Sequence, residues 1–188
     1  MNDMKFIDIT NDQKTTYRLG ENEQVVFLME NRDGEVVFEL AGAHAVAHIF
    51  AFYTGVDDDR FSPRIIQRHL APDTVSSSTM RARLDGSSSV SFRGLVDISN
   101  DATGSDARQD CRALLLSPKT SASAAPELEI GTDDVSCSHA ASITPPDAEQ
   151  ICYLATRGLS EADATALLAD GFFKDAKDMI HELTTNNS

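Results

Sequence analysis

Apolar residues along the first three-quarters of the chain fall in short runs bounded by turn-forming residues. "QVVFLM" (24–29), "EVVFEL" (35–40) and "AVAHIFAFY" (45–53) are rich in β-branched and aromatic side chains, and "NRDG" (31–34) separates the first two. "RIIQRHL" (64–70) and "SVSFRGLVDI" (89–98) continue the series, with "LDGSS" (84–88) as a turn. "CRALLLS" (111–117), "ELEI" (127–130) and "DVSCSHAASI" (134–143) complete it, and no helical apolar period interrupts. The pattern predicts a mainly β core over residues 1–144.

Pattern alone leaves sandwich, barrel and solenoid open. A sandwich calls for regular hairpins on two-residue turns, and only Asp85-Gly86 has that character. "TVSSSTM" (74–80) and "GSSSVSF" (86–92) place small polar residues in runs, which suit stacked rungs where like side chains lie one above another. No strict internal repeat supports that reading.

Beyond Pro145-Pro146 the period becomes helical, giving a C-terminal segment over 145–188. "DAEQICYLATRG" places Ile151, Leu154 and Ala155 on one face and stops at Gly158. A second helix opens at Ser160, three residues before Asp163 in a capping-box spacing. Leu167, Leu168, Phe172, Ala176, Met179 and Ile180 form its apolar stripe, and Gly171 can kink it.

The net charge of −14 excludes nucleic acid and anionic membrane as natural partners and suits docking to a basic protein face. The start "MNDMKFIDIT" has no apolar signal region, and the most apolar run is too short to span a bilayer. Three cysteines without a CxxC spacing fit reduced thiols, and the expected location is cytoplasmic. Among them, Cys137 stands two residues before His139, which puts thiol and imidazole on one face of a strand. The pair suits a soft metal, sulfur transfer or plain burial. Cys111, ahead of "ALLL", reads as a core thiol, and Cys152 as helix packing. Asp133 and Asp134 read as a solvated turn, and His44 and His48 lack a third ligand. His69 before Pro72 reads as structural.

Seven pieces in order then carry a likeness: His69 followed by Thr74-Val75-Ser76, "FRG" (92–94), "SDARQDCRALLLS" (105–117), "PELEI" (126–130), "DDVSCSH" (133–139), "YLATRGLSEADA" (153–164) and "GF" (171–172). The chain resembles the SufB/SufD family, whose members assemble iron–sulfur clusters. The resemblance implies a right-handed parallel β-helix followed by a helical tail. Cys137-Ser138-His139 looks like the SufD branch, because the SufB-type cysteine has no counterpart within "SPKTSASAAP" (117–126). Ala140 stands where the family has Gly after the His, and Cys111 where it has Asn. The family's long N-terminal region has no counterpart, which implies a core-only short form.

The resemblance further implies Cys137 and His139 as ligands of iron or a transient Fe–S cluster, completed by a SufB-like subunit or a second copy. It implies contact of the tail with a SufC-like ABC-type ATPase, for which Phe172 and Phe173 would be anchors. The alternative use of Phe172 is to cap the open end of the solenoid. The chain itself lacks a Walker A motif and is not expected to be an enzyme. A polysaccharide-degrading β-helix would want paired carboxylates and stacking aromatics, and the chain has no Trp. The remaining rival is an adaptor that binds the ATPase and never touches iron.

Overall fold

The computed structural model describes residues 4–185. The chain runs β1 (Lys5–Asp8), β2 (Thr16–Leu19), β3 (Gln24–Glu30), β4 (Glu35–Leu40), β5 (Val46–Gly55), β6 (Arg60–Phe61), β7 (Arg64–His69), β8 (Val75–Leu84), β9 (Ser89–Ile98), β10 (Ser105–Leu115), β11 (Ser121–Ile130) and β12 (Val135–Thr144). Helices α1 (Ala148–Thr156), α2 (Glu161–Gly171) and α3 (Lys174–Thr185) follow. Strands alternate between two sheets, β1-β3-β5-β8-β10-β12 and β2-β4-β7-β9-β11, with the short β6 beside β9. Every strand pair is parallel. The fold is therefore a parallel β-solenoid, and Asp85-Gly86 turns the chain between sheets instead of closing a hairpin.

The spacing between stacked residues explains why no repeat is visible. Arg18 lies beside Glu39 at a separation of 21, His48 beside Ser77 at 29, Thr74 beside Ser105 at 31 and Ser91 beside Ser123 at 32. Coil length drifts, so equivalent positions never recur at a fixed offset. A corner ladder holds the coils together. Asn22, His44, Asp73 and Gly104 all have positive φ, and the N–H of each donates to the next coil, reaching the carbonyls of Ala43, Pro72, Thr103 and Asp134. Short polar residues and glycine tolerate this left-handed conformation best. At Gly104 an added Cβ would lie 2.4 Å from Asp73 Oδ1, so the site needs glycine twice over. His44 belongs to this corner, with its ring 3.9 Å from Asp73.

The interior changes character from one end to the other. At the first coils Tyr17, Phe27 and Phe38 pack with ring centroids 4.8–5.6 Å apart, and Ile9 folds over them fully buried. Arg32 fastens that end by donating to the carbonyls of Ile9 and Lys14. Further along, the buried positions become polar. His69 sits between Thr74 Oγ1 at 2.7 Å and Ser76 Oγ at 2.8 Å, and Gln67 Nε2 donates to the same serine. The structural role expected for His69 is what its surroundings give it.

The helical segment begins at Asp147, whose side chain accepts from Glu149 N–H, and Gly158 ends α1 with φ of +94°. Ser160 caps α2 by accepting from Asp163 N–H, as its spacing predicts. The second predicted helix runs as α2 joined to α3, with the kink that Gly171 allows between them. Its expected stripe holds in part, with Ala176 buried and Ile180 packed beside it. Leu167 and Met179 are exposed, and the buried positions are Ala164, Ala169 and Ala176, which let the helices approach closely. Helix α3 lies on the outer side of the first sheet, with Ala176 against Val26, Phe50 and Phe52, and Phe173, Ile180 and Leu183 around them. Arg81, only 2% exposed, locks it there through Asp110 at 2.8 Å and Asp175 at 3.1 Å.

Two consequences are measurable. Arg81→Ala leaves Asp110 and Asp175 with only the half-exposed Arg112 between them, and should lower unfolding stability by about 1–2 kcal/mol in urea titration. Hydrogen exchange should rise first across residues 174–185. Burial pushes the Asp175 carboxyl up, but Arg81 and then Arg112 outweigh it and hold it below its usual range. The contribution of this pair is therefore complete above about pH 4 and lost as pH falls further.

His69 gives a separate window. Burial lowers its pKa from 6.5 to about 4, against opposing pulls from Asp106 and Asp97. The folded chain keeps this ring neutral while the unfolded chain protonates it. Stability is thus fully present above about pH 6.5 and falls by about 3 kcal/mol as pH drops to about 4. His69→Gln should flatten that part of the stability profile relative to wild type in urea titrations at pH 7.5 and 4.5.

Candidate functional site

The last coil is built from β11 and β12, and no further coil covers it among the described residues. Its inward-facing side chains are therefore open. Leu128 is 40% exposed, Ile130 45% and Ile143 38%, although the residues one coil earlier are core. Polar turns on either side of β12 set its length, and its small residues fit the pleat without demanding deep burial.

Cys137 and His139 lie on this surface. Cys137 registers with Ala107 and His139 with Gln109, so both belong to the inward face, as the i, i+2 spacing predicts. Their environments differ. Cys137 is half-buried against Val96, Ile98, Ala102 and Ala107, while His139 is exposed. Burial raises the Cys137 pKa, the charge of Asp106 adds to the rise, and the Ala107 backbone N–H partly offsets it. Near neutral pH this is a protonated thiol, so it becomes a ligand only as a metal displaces the proton. The arrangement offers two donors on one face of a free strand. Among the described residues no group of three or more His, Cys, Asp and Glu can hold a metal alone.

The other sequence candidates are dispersed. Cys111 is core, and burial pushes its thiol up to about 12. Cys152 is exposed on α1, which corrects the packing role expected for it, because α1 buries no residue of its own. Asp133 and Asp134 are exposed, and the Asp134 carbonyl accepts from Gly104 N–H. His48 is largely buried on the outer side of the first sheet, with Nδ1 2.7 Å from Ser77 Oγ. Phe173 packs on Phe52 at 5.2 Å and Phe172 on Phe173 at 5.9 Å. Both rings sit on the flank of the solenoid, half-buried and away from its open end.

Sequence reasoning missed the polar side chains behind the open face. Gln109 neighbours His139 in the sheet, and Ser78 neighbours Gln109, yet the three are far apart in sequence. Only the coil register brings them together. The free edges also differ. β11 contains Pro126, which lacks a backbone donor, and it carries Glu127 and Glu129. β12 has neither proline nor an acidic residue.

Residues 8–172 match the model of the SUF system FeS cluster assembly SufBD core domain. An iron–sulfur cluster assembly SufBD family protein of Mycobacterium tuberculosis is 31% identical over 133 residues, which is 71% of this chain and 16% of that protein. The iron–sulfur cluster assembly protein SufB of Bacillus subtilis is 32% identical over 106 residues, 56% of this chain and 23% of that one. A SufBD family protein of Staphylococcus epidermidis is 30% identical over 106 residues, 56% of this chain and 23% of its own. The chain thus spans less than a quarter of the length of these relatives.

Proposed function

The chain belongs to the SufBD core-domain family of the SUF iron–sulfur cluster assembly system, and from that premise we propose that its open coil is half of a cluster-assembly site. The observation that carries this reading is the placement of Cys137 and His139 on the inward face of a terminal strand whose outer edge is free. Two donors on such an edge are incomplete by themselves, and iron with nascent sulfide takes thiolate and imidazole ligands. A second subunit that adds its own strand beside β12 supplies the remaining ligands and covers Leu128, Ile130 and Ile143 in the same step. The cluster is cargo in this scheme, handed on after assembly.

The partner is a SufB-like subunit or a second copy of this chain, with β12 as the pairing edge. The absence of a cysteine in residues 117–126 favours a SufD-like role for this chain. Its negative charge favours a partner with a basic face. A SufC-like ABC-type ATPase docks on the helical tail, where Phe172 retains exposed ring surface while Phe173 is engaged with Phe52, Arg83 and Lys177. A second reading rests on the missing SufB-type cysteine and on Ala140 in place of the family's Gly: an adaptor that joins the ATPase to its neighbours and binds no iron. The working compartment is the cytoplasm, where reduced thiols persist. No helix among the described residues is long and apolar enough to cross a membrane.

Anaerobic coexpression with an ABC-type ATPase and a SufB-like subunit separates these readings. The assembly role predicts visible charge-transfer absorbance with iron and sulfide in the purified complex. Both should be lost in the Cys137→Ala, His139→Ala double variant while the complex stays intact. A colourless intact wild-type complex would establish the adaptor. For the tail, Phe172→Ser should weaken ATPase pulldown with little change in melting temperature. Phe173→Ser should lower the melting temperature as well, because it also uncovers Phe52.

A further inference from the structure

Gln109 is 4% exposed, and neither its Oε1 nor its Nε2 has a hydrogen-bond partner. Buried polar atoms without partners cost stability, and an apolar side chain of the same size would hold this part of the core better. The fold nevertheless makes room for the amide. Opposite it stands Gly94, where an added Cβ would lie 2.7 Å from Gln109 Oε1. Ser78 Oγ, in register with Gln109 on the preceding coil, is likewise unpartnered. His139 is in register with Gln109 on the following coil, at the open end. Ser78, Gln109 and His139 therefore occupy one inward row on adjacent strands, which lie about 4.8 Å apart.

We infer that Gln109 is a positioning residue for His139: its Oε1 accepts the imidazole N–H, and its Nε2–H donates to Ser78 Oγ. This inference rests on the reading of His139 as a ligand. An imidazole held by one ring nitrogen has a fixed tautomer and presents the other, unprotonated nitrogen to a metal. That second nitrogen then faces out of the last coil, on the side where Cys137 stands. No other group in the core partners the amide, so its worth lies in His139 and in Ser78 behind it. Gly94 is part of the same device because any side chain there would push the amide aside.

The test uses the full chain labelled with ¹⁵N-histidine, with His139 resonances assigned through His139→Gln. At one fixed pH, wild type should show ring-nitrogen shifts of a single tautomer, and Gln109→Leu should show tautomer averaging. Gln109→Glu retains an acceptor and should keep the wild-type pattern. Gly94→Ala keeps the glutamine but displaces it, and should reproduce the averaging even if Gln109→Leu folds poorly. In anaerobic titration with ferrous iron as the probe, Gln109→Leu should bind about 10- to 100-fold more weakly, with its melting temperature unchanged or raised. Identical His139 shifts in wild type, Gln109→Leu and Gly94→Ala would overturn the inference. If wild type binds no ferrous iron, the ligand reading fails by itself, and the tautomer comparison still decides whether Gln109 holds the ring.

Discussion

Each coil of this molecule is held by parallel backbone pairing to the coil before it, and that ladder has to stop somewhere. Buried sheet groups find partners within the stack, whereas the terminal strands keep a row of unpaired donors and acceptors. The two edges of the last coil meet the problem differently. β11 is blunted by Pro126 and two glutamates, while β12 is left as an unblocked ten-residue edge. Because side chains alternate, the same register that fixes the backbone also decides which residues face inward at the opening. Cys137 and His139 owe their common side to it. The helical tail could have closed this end, but Arg81 and the alanine face of α3 secure it along the flank.

The interior carries a gradient along the same axis. The row through Phe27 continues with Ile49, Ser78, Gln109 and His139, passing from aromatic to aliphatic to polar to ionisable. The neighbouring row runs Val25, Ala47, Ser76, Ala107 and Cys137. Apolar packing is densest in the early coils, where Tyr17, Phe27 and Phe38 meet, and thins toward the opening. That distribution keeps the unpartnered Ser78 and Gln109 near the opening, away from the aromatic coils.

Much of this was legible in the sequence, and the exceptions have physical causes. Apolar β-branched runs placed β3, β4, β5, β7 and β9 closely. β10 and β11 are longer than expected because "SDARQD" and "SASAAP" are as polar as loops; β10 is held between β8 and β12, and β11 follows β9 residue for residue. β1 and β2 escaped notice as four-residue strands. The tail was found with its caps, and Ala176 and Ile180 of its stripe do face the sheet, but Leu167 and Met179 stay exposed because close approach there favours alanine. At the site, the common side of Cys137 and His139 follows from strand alternation alone. The likeness to the SufB/SufD family added the architecture that periodicity left open. Nothing local could reveal Gln109 and Ser78 behind His139, since their adjacency depends on coils of unequal length.

The two ends of the solenoid are not interchangeable, and this sets a limit on growth. At the first end Ile9 and Arg32 shut the core, and the edge strand β1 is only four residues long, bounded by Lys5 and Asp8. A long edge can template a long strand, but a short charged edge cannot accept one in return. Head-to-tail stacking would require the two to match, and they do not. Pairing through β12, as proposed, would use the long edge of each participant and leave the short one behind. The stack has the same cross-strand geometry as a fibre, yet among the described residues its two ends do not match.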